Sequence, residues 1–247
     1  MSAPLVIETL PALTDNLMYV LRDEATGLTC VIDPSEATPV IHFLKSKNWK
    51  LDFIINTHHH WDHVGGNLEL KNLFSCKVLC SAFDKPRIPG ADFGYVDSDN
   101  IPFGNAPLQV IAVPGHTVGA IALYNKSNAA LFTGDTLFPL GCGRLYEGTP
   151  EQMRNSLERL AQLPDDTRVF SGHDYLYANA CFNLTINHSD DTIDALQKKL
   201  KSNPNSSRES LPTTVGFEKK HNSFMNTKSI SEFAQIREQK NQFRLEE

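Results

Sequence analysis

The chain is 247 residues long, and 40% of its side chains are hydrophobic, 9% aromatic and 21% charged. That is enough apolar material for a sizeable core, in one large domain or in a domain with a small appendage, and it excludes a wholly disordered chain; the 14 Gly and 14 Pro follow no period, which excludes a collagen-like repeat. Lys and Arg total 23 against 29 Asp and Glu, a net charge of −6 that argues against broad binding to nucleic acid or to an anionic membrane. No apolar run approaches the roughly 20 residues of a membrane span, and no basic leader with a long apolar stretch is visible at the start. Cys30, Cys76, Cys80, Cys142 and Cys181 are odd in number, widely spaced and form no Cys-x-x-Cys pair, so reduced thiols in a cytoplasmic protein are predicted.

In chain order, apolar runs between turn clusters predict strands at Leu17–Leu21, Thr29–Ile32, Phe53–Ile55, Lys77–Cys80, Leu108–Val113, Ala120–Tyr124, Ala129–Phe132 and Arg168–Phe170. Several are continuous rather than alternating, as strands buried between two layers are. Thr38-Pro39 predicts a helix start, Thr as cap and Pro as first helical residue, with Val40, Ile41 and Leu44 on one face. Thr149 and Gln152 stand at capping-box spacing and predict a helix carrying Met153, Leu157 and Leu160 until Pro164 stops it. After His173 the strand signals fade. Helices are predicted over Tyr175–Thr185 and Thr192–Leu200, then a polar surface loop over Lys201–Arg208, then a last helix from a capping box at Ser229 and Glu232, with Phe233, Ile236 and Phe243 on its apolar side. The expected organisation is an α/β domain to about residue 172 and a small helical domain after it.

Six of the nine His fall in three short stretches, each following an apolar run. Thr57-His58-His59-His60-Trp61-Asp62-His63 follows Phe53–Ile55, Gly115-His116 follows Val110–Val113, and Gly172-His173 follows Val169-Phe170; Gly134-Asp135 has the same form after Leu131-Phe132. Loops at strand ends are where a rigid scaffold displays chemistry. A lone His is more often a satisfied core residue, and a lone Gly-Asp is usually a turn. Four His and one Asp within six residues cannot pack as core, because unpaired buried polar groups cost several kcal/mol each; imidazole and carboxylate crowded together indicate a metal. His58 and His60 project to the same side of an extended segment, His59 points away, and Asp62 and His63 follow where the chain bends into a helix. A helical zinc-protease motif on His59 and His63 is rejected, because the residue after the first His is His60 and not Glu. Seven candidate ligands exceed one tetrahedral ion and suit two metals.

His-x-His-x-Asp-His, followed at long intervals by a single His, Asp and His, resembles the metallo-β-lactamase superfamily. The resemblance is closer to one branch, glyoxalase II or the hydroxyacylglutathione hydrolases, through Leu10–Asn16, Thr57–His63, Phe132–Phe138, Gly141–Thr149 and Arg237–Phe243. It implies an α/β fold, the αββα sandwich, as a catalytic domain over 1–172 and a small helical substrate-binding domain over 173–247. It implies one metal at His58, His60 and His116, a second at Asp62, His63 and His173, and Asp135 bridging both. Asp62 and Asp135 would be the catalytic carboxylates around a metal-bound hydroxide. The substrate contacts implied are Arg144, Tyr146, His173, Tyr175, Arg237 and Lys240. The implied reaction hydrolyses S-D-lactoylglutathione, and other S-2-hydroxyacylglutathiones, to D-lactate or another 2-hydroxy acid and glutathione, the second step of methylglyoxal degradation.

That chemistry is compatible with the residues. Two bound metals lower the pKa of a water from about 15.7 to near 7, and a thiolate whose acid has a pKa near 8.5 can leave without a general acid. Zinc is expected first; imidazole and carboxylate ligands also accept iron or manganese. The expected partner is a small glutathione thioester, with no nucleic acid or membrane, and the chain is expected to be a monomer. Arg237 and Lys240, three apart on one helix, would on pattern alone be an ordinary solvated face. Arg144 stands where many relatives carry Lys, and Cys142 is read as structural. The competing functions are a mononuclear-iron sulfur dioxygenase acting on a glutathione persulfide, a tRNA-processing nuclease, an exported β-lactamase and a non-catalytic metal-binding module.

Overall fold

The computed structural model describes residues 5–203 and 206–245, without the side chains of 206 and 208. Pro204 and Asn205, in the middle of the predicted polar loop, lie outside the described residues. The chain forms two compact units, Met1–Ala112 with Gly119–Gly134, and Val113–Val118 with Asp135–Glu247.

In the first unit the elements run β1 (Leu5–Ala12), β2 (Asn16–Asp23), β3 (Thr29–Ile32), α1 (Ala37–Lys47), β4 (Phe53–Ile55), α2 (Trp61–Val64), α3 (Asn67–Phe74), β5 (Lys77–Ser81), β6 (Phe93–Tyr95), β7 (Asn100–Ile101), β8 (Leu108–Ala112), β9 (Ile121–Asn125) and β10 (Ala130–Gly134). Strands β1 to β6 make one sheet in sequence order. Its first two pairings are antiparallel and the next three parallel. The parallel joins need crossovers; α1 supplies the first, α2 with α3 the second, and the turn-rich segment 82–92 the third. Strands β10, β9, β8 and β7 lie side by side in a second sheet, antiparallel throughout.

Continuous apolar sequence becomes strand here because both faces are covered: β3 and β10 are buried at every position. On one face of the first sheet, Val40, Ile41 and Leu44 of α1 and Leu70 of α3 join Met18, Val20, Val31, Ile54 and Val78 in a single buried cluster. On its other face the two sheets meet, Tyr19 against Phe132 with ring centroids 5.5 Å apart and Phe53 against Phe103 at 6.5 Å.

The helix predicted from Thr38-Pro39 starts two residues earlier than expected, at Ala37. Glu36 is the N-cap and makes no side-chain cap bond, so Thr38 sits inside the first turn. Pro39 is tolerated there because first-turn N–H groups have no intrahelical partner. Four elements of the first unit escape the sequence pattern: β1, α3 and the short strands β6 and β7. β1 contains Pro11 and is half-exposed, and α3 is short.

In the second unit β11 (Leu137–Phe138) and β12 (Gly141–Cys142) form a minimal hairpin. There follow α4 (Pro150–Leu160), β13 (Arg168–Ser171), α5 (Leu176–Ile186), α6 (Asp191–Ser202), α7 (Ser206–Glu209), β14 (Thr213–Thr214), α8 (Val215–His221) and α9 (Ile230–Gln242). The capping box at Thr149 and Gln152 is complete. At Ser229 only half of it forms: the Ser229 hydroxyl accepts from Glu232 N, while the Glu232 carboxylate accepts from Lys228 N. Strand pairing also persists past His173, since β14 pairs antiparallel with β13. The helices pack through Leu140, Leu176, Ala180, Ile193 and Leu200, and through Phe182, Phe224 and Phe233. Among the described residues no helix is long and apolar enough to cross a membrane.

Leu44 is fully buried between α1 and the first sheet. Leu44→Ala is expected to lower unfolding free energy by about 2–5 kcal/mol, the usual cost of truncating a buried Leu. Urea unfolding should show the shift as a lower midpoint at an unchanged slope.

Candidate metal centre

The first unit contributes the histidine-rich loop after β4. Its backbone is extended to His60 (φ −62°, ψ 144°), and the chain then turns into α2. Asp33, at the end of β3, organises it: the carboxylate accepts from Thr57 N at 2.7 Å and from Thr57 Oγ1 at 2.6 Å. Asp33 Oδ2 is also 3.1 Å from His63 Nδ1, and Thr57 Oγ1 is 3.1 Å from His58 Nδ1. Holding Nδ1 in this way leaves Nε2 as the nitrogen to present to a cation. The His58 ring lies with centroids 4.7 Å from His60 and 4.2 Å from His63. Asp62 Oδ2 is 3.6 Å from His63 Nε2, and Asn16 Nδ2 donates to both the Asp62 carbonyl and Oδ2 at 3.1 Å. His59 turns elsewhere, with Nδ1 3.3 Å from Oδ2 of the fully buried Asp84.

The second unit carries His116, Asp135 and His173, all buried. Asp135 Oδ2 lies 3.4 Å from His116 Nε2 and 3.4 Å from His173 Nε2. Those separations exceed the usual N–H···O range of about 2.7–3.2 Å. They match the roughly 3.3–3.5 Å between donors that each stand about 2.0–2.1 Å from one tetrahedral cation. His116 Nδ1 is 2.8 Å from the Arg144 carbonyl, which fixes that ring as Asp33 fixes His63. Gly143 precedes this contact. A Cβ there would lie 2.0 Å from the Asp135 carbonyl oxygen and 3.0 Å from His116 Nδ1, so only glycine lets the backbone pass.

Of the predicted substrate residues, two aromatic ones lie against these ligands. Tyr146 stands edge-on to His116 with centroids 5.3 Å apart, and Tyr175 stacks on His173 at 4.9 Å with the rings 4° from parallel. Arg144 and Tyr146 are exposed. Arg237 is buried, donating from NH1 to the Cys142 carbonyl at 2.7 Å. Lys240 Nζ donates to the Ala178 carbonyl at 3.0 Å. Burial, followed by the neighbouring Arg237, pushes the Lys240 ammonium down to about 8. Burial pushes the Cys142 thiol up to about 11 despite Arg237 beside it.

Sequence reasoning missed the residues that orient the ligands. Asp33 was findable, since Ile32-Asp33 repeats the pattern of an apolar strand running into a polar turn. Asn56, which donates to the His63 carbonyl at 3.0 Å, and Asp84 carry no comparable signal.

Residues 13–173 match the family model of the metallo-beta-lactamase superfamily, and residues 174–243 match that of the hydroxyacylglutathione hydrolase C-terminus. The chain is 40% identical to the hydroxyacylglutathione hydrolase of Methylococcus capsulatus, over 97% of this chain and 99% of that one. It is 42% identical to the enzyme of the same name from Rhodospirillum rubrum, over 90% and 87%. Among solved structures it resembles ETHE1 from Myxococcus xanthus, with a TM-score of 0.73 and 26% identity over 94% of this chain and 90% of that one. It also resembles TTHA1623 in a di-iron-bound form, with a TM-score of 0.64 and 25% identity over 89% and 99%. The chain belongs to the hydroxyacylglutathione hydrolase family of the metallo-β-lactamase superfamily, with the α/β fold of that superfamily and a C-terminal helical region, and its His and Asp cluster can bind metal ions.

Asp33→Ala frees His63 to rotate and leaves Thr57 without its acceptor. The variant is expected to bind divalent cations about 10- to 100-fold more weakly, measured by titration calorimetry on metal-stripped protein.

Proposed function

We propose that this protein hydrolyses the thioester of S-D-lactoylglutathione and related S-2-hydroxyacylglutathiones, releasing glutathione and a 2-hydroxy acid. The observation that carries this reading is the second family match. It covers the helical segment holding Tyr175, Arg237 and Lys240, beyond the metal motif that the whole superfamily shares. Relatives that match at 40% and 42% identity over nine-tenths of the chain or more include the hydroxyacylglutathione hydrolases of Methylococcus capsulatus and Rhodospirillum rubrum.

In this reading the two ligand groups act together on a pair of divalent cations. His58, His60 and His116 would hold one, Asp62, His63 and His173 the other, and Asp135 would be shared between them. The di-iron form of a structural relative supports a metal pair. Zinc is the first expectation for this chain, with iron and manganese also accepted by an oxygen and nitrogen donor set. When bound, the pair supplies Lewis acidity and a water acidic enough to ionise near neutral pH.

The chain's own residues do the rest. Asp62, held by Asn16, orients the attacking water against the thioester carbonyl. Arg144, Tyr146, Tyr175 and Lys240 receive the glutathione moiety, whose two carboxylates seek cations. The leaving thiol needs no general acid, because its pKa lies near 8.5. We further propose that 1–172 carries the catalysis and 173–247 the substrate recognition, in a monomer working in the cytoplasm; the five unbridged cysteines, four of them buried, support a reducing compartment.

Metal analysis and a lactoylglutathione assay test this directly. Two equivalents of metal and thioester turnover are expected for the wild type, with Asp135→Asn slower by about 100-fold or more. Near-normal turnover in that variant would defeat the bridging assignment, and one metal with oxygen consumption would favour a dioxygenase. A second expectation concerns pH. Lys240 carries its charge below about 8 and loses it above. KM should therefore rise between pH 7 and 9.5, by roughly tenfold for one charge-assisted contact, and Lys240→Met should show a high KM with that step removed.

A further inference from the structure

The β11–β12 hairpin and the residue after it are buried from Leu137 to Gly143, and so short a hairpin pairs few of its own backbone groups. Its strands are two residues each, Pro139 has no N–H, and Leu140 sits at φ 57°. Buried carbonyls without donors cost about 1–3 kcal/mol each. Six successive carbonyls nevertheless meet side-chain donors from the later helices and the residue that follows one of them. Asn222 Nδ2 donates to Phe138 O at 3.4 Å and to Gly141 O at 3.1 Å. Asn179 donates to Pro139 O at 2.9 Å, and Asn183 donates to Leu140 O. Arg237 donates to Cys142 O at 2.7 Å and to Gly143 O at 3.4 Å. The Leu140 N–H donates to Glu218 Oε2 at 2.8 Å, and the same oxygen accepts from Asn222 at 2.9 Å.

We propose that Asn179, Asn183, Glu218 and Asn222 are positioning residues: they set the backbone of 138–143 and, through the Arg144 carbonyl that follows, the ring of His116. The segment ends in direct contact with two candidate ligands, as the 2.8 Å bond from His116 Nδ1 to Arg144 O and the contact of Gly143 with the Asp135 backbone show. A donor lost anywhere along 138–143 is relayed to the point where His116 is held. The same shift moves Arg144 itself, so recognition and metal binding are tied to one strip of backbone. This inference rests on the proposed hydrolase reading for its kinetic consequence, though not for its structural one. Glu218 is completely buried, and its burial pushes the carboxyl up to about 7, so a neutral amide is a close substitute for it.

The test compares Glu218→Ala with Glu218→Gln in the zinc-loaded enzyme. Three readouts are taken: kcat and KM for lactoylglutathione, zinc retained under a fixed chelator challenge, and the downfield ring N–H resonance of His116. Gln keeps an oxygen for Leu140 N and Asn222, so it should retain the wild-type resonance, zinc and kinetics. Ala should shift or broaden the resonance, shed zinc faster and lower kcat/KM by about 10- to 100-fold, with KM rising as well as kcat falling. A folded Glu218→Ala protein with the wild-type resonance and zinc retention would overturn the proposal, as would equal damage from Gln. Should Glu218→Ala fail to fold, Asn179→Ala removes the amide donor to Pro139 O without adding a charge; a shifted resonance and faster zinc loss are expected there too, and wild-type behaviour in both readouts would overturn the proposal. A wild-type protein without thioesterase activity would instead overturn the functional reading, and the His116 resonance would still decide this one.

Discussion

An imidazole can offer a cation only one of its two nitrogens, and a ring that is free to turn offers neither reliably. The arrangement of this protein follows from holding the other nitrogen. Asp33 holds Nδ1 of His63, the Thr57 hydroxyl holds Nδ1 of His58, and the Arg144 carbonyl holds Nδ1 of His116. Each anchor is itself anchored. Asp33 is tied to the backbone and hydroxyl of Thr57, and Arg144 follows a glycine wedged against Asp135 and His116. The strands exist, in this sense, to bring polar loop ends to fixed places, and their buried apolar runs supply the rigidity that loops lack.

Much of this was legible in the sequence. Eight apolar runs became strands because a strand covered on both faces has nowhere to place a polar residue, and the helix from Thr149 began as its capping box required. Four His and one Asp in six residues had no interpretation as core. What stayed hidden is the outer set of partners. Asp33 repeats the pattern of an apolar strand running into a polar turn and could have been read, whereas Asn56 and Asp84 have no periodicity to mark them. The helix at Thr38-Pro39 was misplaced by two residues because Glu36, with no side-chain cap bond, takes the cap position. The half-formed box at Ser229 shows the same limit, since Glu232 prefers Lys228 N to the reciprocal bond.

The helical segment was harder to read, and for a definite reason. Its Asn179, Asn183, Glu218 and Asn222 are buried polar residues on helices whose sequence suggests ordinary packing. Their partners are backbone atoms some 40 to 80 positions earlier. Side chain to main chain pairing of that range leaves no trace in residue spacing. It also explains why Arg237 and Lys240, which as a pattern resemble a solvated face, are partly or wholly sequestered: one serves the Cys142 carbonyl and the other the Ala178 carbonyl.

Cys142 lies in the same strip of backbone as Gly143 and Arg144. A sulfhydryl beside acyl–sulfur chemistry is a hazard, because an ionised thiol exchanges acyl groups with a thioester and would leave the protein modified by its own substrate. With its pKa raised to about 11, Cys142 is ionised near neutrality in only roughly one molecule in ten thousand. Its enclosure in the fold thus keeps a latent nucleophile silent, and loosening that enclosure would expose the protein to self-acylation.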